Sequence, residues 1–210
     1  MTAVLAAGLS ALELDADIAA RAKLSQYVAL LDKWNRTHNL TAIRDPEQMV
    51  THHVLDSLAV LEHLPEKACL RVLDIGSGGG LPGIPLAIAR PDWRVVLLDS
   101  NHKKAAFLRQ AAIELNLANI EVCAVRVQDY IADLLFDVVI SRAFADLATF
   151  ATVARRLVVH GGRLVAMKGV FPHEELQQLP PDVLVAEVPA VRIPGLDVQR
   201  HLVIMEPREP

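Results

Sequence analysis

Apolar residues at Leu24, Tyr27, Val28, Leu31 and Trp34 recur at three- and four-residue intervals, so the segment from about Asp17 to Asn35 is predicted to be an amphipathic helix. A polar break follows over 36–44. Asp45-Pro46-Glu47 then reads as an N-cap, a first-turn proline and an acid near the helix dipole, opening a helix to about Leu64 with Val50, Val54, Leu58 and Leu61 buried. Pro65 to Lys67 ends it. From Cys69 the pattern changes to short apolar runs alternating with helical ones. Strands are expected near 70–75, 93–98, 119–124, 136–141, 162–168, 183–188 and 200–206, and helices near 83–90, 102–116, 146–158 and 172–178. That alternation predicts an α/β fold, a seven-stranded, mostly parallel sheet covered on both faces. The loop 189–199 has no helical pattern, which makes the last two strands an antiparallel hairpin at one edge.

A chain of 210 residues with 52% apolar content buries one substantial core. The reading is therefore an N-terminal helical extension, 1–67, on a larger domain, 68–210. A formal charge of −4 excludes nonspecific binding to a phosphate backbone, so any RNA contact must come from a local patch. Cys69 and Cys123 lack zinc-site spacing and are too few for a disulfide scaffold. No metal is expected. The alanine-rich stretch from Thr2 to Leu14 does not read as a secretory leader, since the first basic residue is Arg21 and Glu13, Asp15 and Asp17 are acidic. No run approaches the ~20 uncharged apolar residues that span a bilayer. A cytoplasmic monomer that makes no membrane contact is the simplest expectation.

The run Val72-Leu73-Asp74-Ile75-Gly76-Ser77-Gly78-Gly79-Gly80-Leu81-Pro82-Gly83 is the most informative segment. A glycine-rich turn between a buried strand and a helix brings main-chain N–H groups closer to a ligand than any Cβ allows. Gly76 and Gly78 are the candidates for that contact. An acid at the mouth of the turn repels a pyrophosphate and suits the ammonium and sulfonium of S-adenosylmethionine. The order Asp-x-Gly-x-Gly-x-Gly resembles motif I of the Rossmann-like class I methyltransferases. Gly78-x-Gly80-x-x-Gly83 also fits a nicotinamide fingerprint, but Pro82 and Pro85 place Gly83 at a helix start rather than at a close helix–strand contact. A nicotinamide-dependent oxidoreductase and a non-catalytic nucleotide-binding module therefore stay open as alternatives.

In such sheets ligands lie across the carboxyl ends of the strands where the strand order reverses. The second strand ends in Leu97-Leu98-Asp99, and an acid about twenty residues past the turn is placed to accept from ribose hydroxyls. The alternative for Asp99 is a helix N-cap. After the third strand, the loop at Val125 to Asp129 faces the adenine position. The fourth strand ends in Ser141-Arg142-Ala143-Phe144, beside the methyl acceptor. No Asn/Asp-Pro-Pro-aromatic motif occurs there, which argues against an exocyclic amine, and no cysteine occurs there for covalent attack on a pyrimidine. Guanine N7 owns an exposed lone pair and needs neither device, only positioning and exclusion of water. No catalytic residue or general base is assigned.

His38-Asn39-Leu40-Thr41, Arg44-Asp45-Pro46, His53-Val54-Leu55-Asp56-Ser57, Leu81-Pro82-Gly83-Ile84-Pro85, Leu97-Leu98-Asp99-Ser100, Ser141-Arg142-Ala143-Phe144, Lys168-Gly169 and Arg200-His201-Leu202 together resemble the RsmG (GidB) family of 16S ribosomal RNA guanine-N7 methyltransferases. The resemblance covers about residues 24–205. It implies methyl transfer from S-adenosylmethionine to N7 of guanine 527 in the 530 loop of 16S rRNA, with that RNA or the small ribosomal subunit as partner. It also implies cofactor contacts at Gly76, Leu81, Val127, Gln128 and Arg142; at Gln128 family members often carry an acid.

Lys103, Lys104, Arg142, Lys168, Arg200 and His201 are placed to form a basic crescent round the pocket, with Lys168, Arg200 and His201 as candidate RNA contacts. His53, Asp56 and Ser57 share a helical face at i, i+3, i+4 and either line the pocket or tie the extension to the sheet.

Overall fold

The computed structural model describes residues 1–14, 16–142 and 144–208; the acid at Asp15 and the Ala143 of the fourth strand's motif lie outside the described residues. Seven strands form one sheet in the order β3-β2-β1-β4-β5-β7-β6. They are β1 (Arg71–Ile75), β2 (Arg94–Leu98), β3 (Ile120–Cys123), β4 (Phe136–Ser141), β5 (Val158–Lys168), β6 (Val183–Glu187) and β7 (His201–Pro207). The α-helices are α1 (Thr2–Ala11), α2 (Ile18–His38), α3 (Pro46–Met49), α4 (Asp56–Leu58), α5 (Gly83–Ala89), α6 (His102–Glu114), α7 (Leu147–Ala154) and α8 (His173–Gln177). The first five strands pair in parallel, and β7 enters antiparallel between β5 and β6. The expected α/β architecture is borne out, hairpin included, and strand order reverses between β1 and β4. Among the described residues no helix is long and apolar enough to cross a membrane.

Alternate residues of the strands feed two cores. Val72, Leu97, Val138, Ile140 and Ile204 pack with α1, α2, α5 and α6 on one face. Leu73, Leu98, Val139, Leu164 and Val203 meet α7 on the other, beside which lies α8. The period-two alternation of the strands is the cause. The N-terminal helices thus share one hydrophobic cluster with the sheet.

Helix α2 begins where Asp17 accepts from the Ala20 N–H at 2.7 Å. Asp45 caps the next helix by accepting from the Glu47 N–H, as its position before Pro46 predicts. That helix departs from the regular form expected. Its α-helical start, α3, passes into a π-helical segment, Val50–Leu55, before the short α4 and a 3₁₀ turn, Leu61–His63. In the widened turn the His52 carbonyl accepts from the Arg142 guanidinium at 3.0 Å, a bond that compensates the interrupted helical ladder. Helix α1 has no counterpart among the expected elements. Its residues are apolar all round, so no stripe announces it, yet Leu5 and Leu9 are buried and Gly8 lies directly against Leu55.

Gly83 corrects one expectation. It does open α5, but it is also a close contact, since a Cβ there would lie 2.2 Å from Leu97 Cδ2 and 2.8 Å from Asp74 Oδ2. Both neighbours are buried and cannot yield. Gly83→Ala is expected to lower unfolding free energy by about 1–3 kcal/mol, measured by urea titration.

Candidate functional site

The glycine turn leaves β1 at the reversal point and is fixed from three sides. The Gly76 and Ser77 N–H groups donate to the Leu98 carbonyl at 2.8 and 3.1 Å, which joins the turn to the end of β2. The Gly78 N–H donates to Asp99 Oδ2 at 2.9 Å. From the helical extension, the buried Tyr27 hydroxyl donates to the Gly79 carbonyl at 2.6 Å, and desolvation raises its pKa. Gly76 has φ +74°, is exposed, and has nothing within 4 Å of where a Cβ would stand. That open space over Gly76 is a cradle fitted to a ligand at the carboxyl ends of β1 and β4.

Asp74 does not face that space. It is fully buried, its Oδ2 accepts from the Gly83 N–H at 3.0 Å, and its Oδ1 has no partner. Burial pushes its pKa up to about 7. The acid therefore holds the start of α5, and its expected contact with a cationic ligand is corrected: the side chain is turned into the fold. Asp99 is 7% exposed and its other oxygen accepts from the Asn101 N–H at 2.8 Å, while the cap of α6 is Asn101 itself. Each Asp99 oxygen, with one main-chain donor, keeps acceptor capacity for a hydroxyl.

Leu81 is buried beneath the turn, Val127 is buried in a 3₁₀ turn (Val127–Asp129), and Gln128 is exposed beside it. The Arg156 guanidinium holds this loop by donating to the carbonyls of Val127 at 2.6 Å and Gln128 at 3.3 Å. Sequence reasoning missed Arg156, which lies just past α7 with nothing local to mark it.

The cations on the rim are engaged within the fold. Arg142 donates to the His52 carbonyl, stands 3.1 Å from His53 Nδ1, and has its Nε 3.5 Å from Asp56 Oδ2. Its Nη1 is buried and has no partner. Arg200 Nε reaches Asp56 Oδ1 at 2.9 Å, so one carboxylate, 2% exposed, lies between two guanidinium groups. Lys168 pairs with Glu175 at 2.7 Å, and the same Glu175 accepts from the Leu147 N–H. His201 Nδ1 donates to the Gly169 carbonyl at 3.1 Å. His53 and Asp56 tie the extension to the sheet through Arg142 and Arg200, whereas Ser57 Oγ donates to the His53 carbonyl at 2.6 Å within its own helical segment. Lys103 is exposed and Lys104 half-exposed at the start of α6.

His53 Nδ1 stands 3.1 Å from the Arg142 guanidinium and 3.0 Å from the His52 carbonyl, and its Nε2 shares a hydrogen bond with Thr41 Oγ1 at 2.7 Å. Burial, then the Arg142 charge, lowers its pKa to about 4. Thr41 in turn belongs to a loop organised by buried Asn35, which accepts from the Thr41 N–H and donates to the Ile43 carbonyl. Among the described residues no group of three His, Cys, Asp or Glu side chains is placed to hold a metal ion. A groove of about 1190 Å³ is lined by Leu12 and Leu61 of the extension, Pro91 between α5 and β2, and Val191 between β6 and β7.

The family model for rRNA small subunit methyltransferase G (GidB) matches residues 20–203. The chain belongs to this family. It is 54% identical over 209 residues to the ribosomal RNA small subunit methyltransferase G of Nitrosospira multiformis, covering 96% of this chain and 95% of the relative. The protein of the same name from Neisseria meningitidis serogroup B is 51% identical over 204 residues, covering 97% of each. Among solved structures, a mutant of MtNAS in complex with S-adenosylmethionine aligns with TM-score 0.62 at 16% identity, over 88% of this chain and 73% of that one. TrmN from Thermus thermophilus gives 0.57 at 18% identity, over 75% and 53%. These likenesses show a Rossmann-like class I methyltransferase fold, so the glycine turn of this family member belongs to that fold rather than to a nicotinamide-binding one.

The buried groups His53 and Asp74 give a pH signature. Between about pH 4 and 6.5 the unfolded chain holds a proton on His53 that the folded chain lacks, so stability from this group falls on acidification. Asp74 acts in the opposite sense, holding a proton when folded up to about pH 7, so its contribution is lost as pH rises toward and through that value. His53→Gln should therefore convert a nearly flat stability profile over about pH 4–6.5 into one that declines with rising pH, read from urea midpoints at several pH values.

Proposed function

We propose that the protein transfers the methyl group of S-adenosylmethionine to N7 of a guanine in 16S ribosomal RNA, guanine 527 of the 530 loop by the family resemblance. The observation that carries this reading is the open cradle over Gly76 at the sheet's reversal point, in a chain of the family whose relatives are named ribosomal RNA small subunit methyltransferase G. When bound, the sulfonium donor supplies an electrophilic methyl group. The chain's own residues supply position. Gly76 and Gly78 let the donor lie against main chain, Asp99 offers lone pairs to ribose hydroxyls, and Leu81, Val127 and Gln128 line the adenosine side. Arg142 stands at the acceptor end.

A guanine N7 attacks through its own lone pair, so no side chain has to remove a proton before transfer, and none is assigned that work. The purine becomes cationic as the donor loses its charge, and acceptors at the rim ease that change. Arg142 is balanced by Asp56, which keeps the rim from opposing it strongly. We read residues 1–67 and 68–210 as a division of roles rather than of stability, because Tyr27 and Asp56 of the extension hold the turn and the rim. The working form in this reading is a cytoplasmic monomer without metal.

Small ribosomal subunits lacking the modification should accept radiolabelled methyl from S-adenosylmethionine, with chemical cleavage at the N7-methylated guanine mapping to the 530 loop. Label on another nucleotide, or none despite cofactor binding, contradicts the assignment. Asp99→Ala should weaken cofactor binding roughly 10- to 100-fold by calorimetry, as expected for a lost charged acceptor.

A further inference from the structure

Three of the five phenylalanines, Phe107, Phe136 and Phe150, are fully buried. The other two, Phe144 and Phe171, are only partly buried, and both follow the carboxyl ends of central strands, β4 and β5. Phe144 has an internal partner, the ring of Phe150 at 5.6 Å. Phe171 has a different setting. It lies on the loop after Lys168, with the His173 ring 4.4 Å away and inclined at 41°. The His201 ring meets it nearly edge-on at 5.5 Å and 83°. His173 is exposed and His201 half-exposed, so the three rings form an aromatic cluster that reaches the surface.

The cluster is built rather than loose. Pro172, next to Phe171, is buried, and the His173 N–H donates to the Phe171 carbonyl at 3.1 Å. His201 is fixed by its bond to the Gly169 carbonyl, and it stands opposite Lys168 in the β5–β7 register. Arg200 Nη1 comes within 3.9 Å of where a Gly169 Cβ would stand, so a guanidinium lies beside the same loop. Arg142 and Arg200 pair with Asp56, and Lys168 with Glu175, along this rim. Aromatic rings at the surface beside an arginine guanidinium are an arrangement on which an unstacked base can lie.

We propose that Phe171, flanked by His173 and His201, is a stacking platform for a nucleobase of the substrate RNA next to the methylated guanine. The inference rests on the reading of the protein as an RNA methyltransferase and adds a subsite to it. A guanine presented for methylation must leave its stack, and a neighbour laid on these rings offsets part of that cost. The ligand is thus a single-stranded or splayed purine or pyrimidine, held by its face and not by its edge.

The test uses the full chain, S-adenosylmethionine and unmodified small ribosomal subunits, comparing Phe171→Leu, Phe171→Trp and His173→Ala with wild type. Leucine keeps the apolar packing of the loop but removes the flat ring, and should raise KM for the subunit roughly 10- to 100-fold while calorimetric affinity for S-adenosylhomocysteine stays unchanged. Tryptophan should keep KM near wild type, and its fluorescence should be quenched on adding subunits. His173→Ala should raise KM by a smaller factor. An unchanged KM for Phe171→Leu, or a Phe171→Trp fluorescence indifferent to RNA in an active enzyme, overturns the platform. Failure of the wild-type protein to bind cofactor or transfer methyl overturns the parent reading instead.

Discussion

The structure depends on how the glycine turn after β1 is held. A turn with this many glycines is entropically costly to order, and the fold fixes it with partners from three separate elements: Asp99 at the end of β2, Asp74 inside β1, and Tyr27 from the extension. Each bond removes a main-chain polar group from competition, and together they leave the space over Gly76 unfilled.

The same logic orders the rim beyond β4. Asp56 gathers Arg142 from the end of β4 and Arg200 from the start of β7, so a single buried carboxylate in the helical extension sets the position of two cations on the sheet's rim. Its neighbour His53 stays neutral beside that charge, with one ring nitrogen against Arg142 and the other against Thr41. The extension is thus bound to both the glycine turn, through Tyr27, and the rim, through Asp56. For this reason α2 and the π-helical segment share a hydrophobic cluster with β1 and α5 instead of forming a separate core.

Much of this is legible in the residue pattern. Strand and helix positions follow from the switch between period two and period 3.6, and the cap at Asp45 from residue type alone. The exceptions share a cause, in that each depends on a partner distant in sequence. Helix α1 carries no polar face to reveal it and exists because Leu5 and Leu9 are covered by the rest of the fold. The π-helical turn goes with a bond to Arg142, ninety residues away. Asp74 reads as a ligand-facing acid because its sequence position is at the turn, yet β1 directs it inward to Gly83. Lys168 reads as a free cation until Glu175 is placed beside it.

The central claim is that the donor lies in the space over Gly76, kept open by the bonds around it. Calorimetry with S-adenosylhomocysteine on wild type and Gly76→Ala addresses it directly, with urea unfolding to confirm that the variant folds. The account predicts a folded variant, weakened by about 1 kcal/mol by its positive φ, whose affinity falls at least about tenfold. Equal affinity in the two proteins would contradict it.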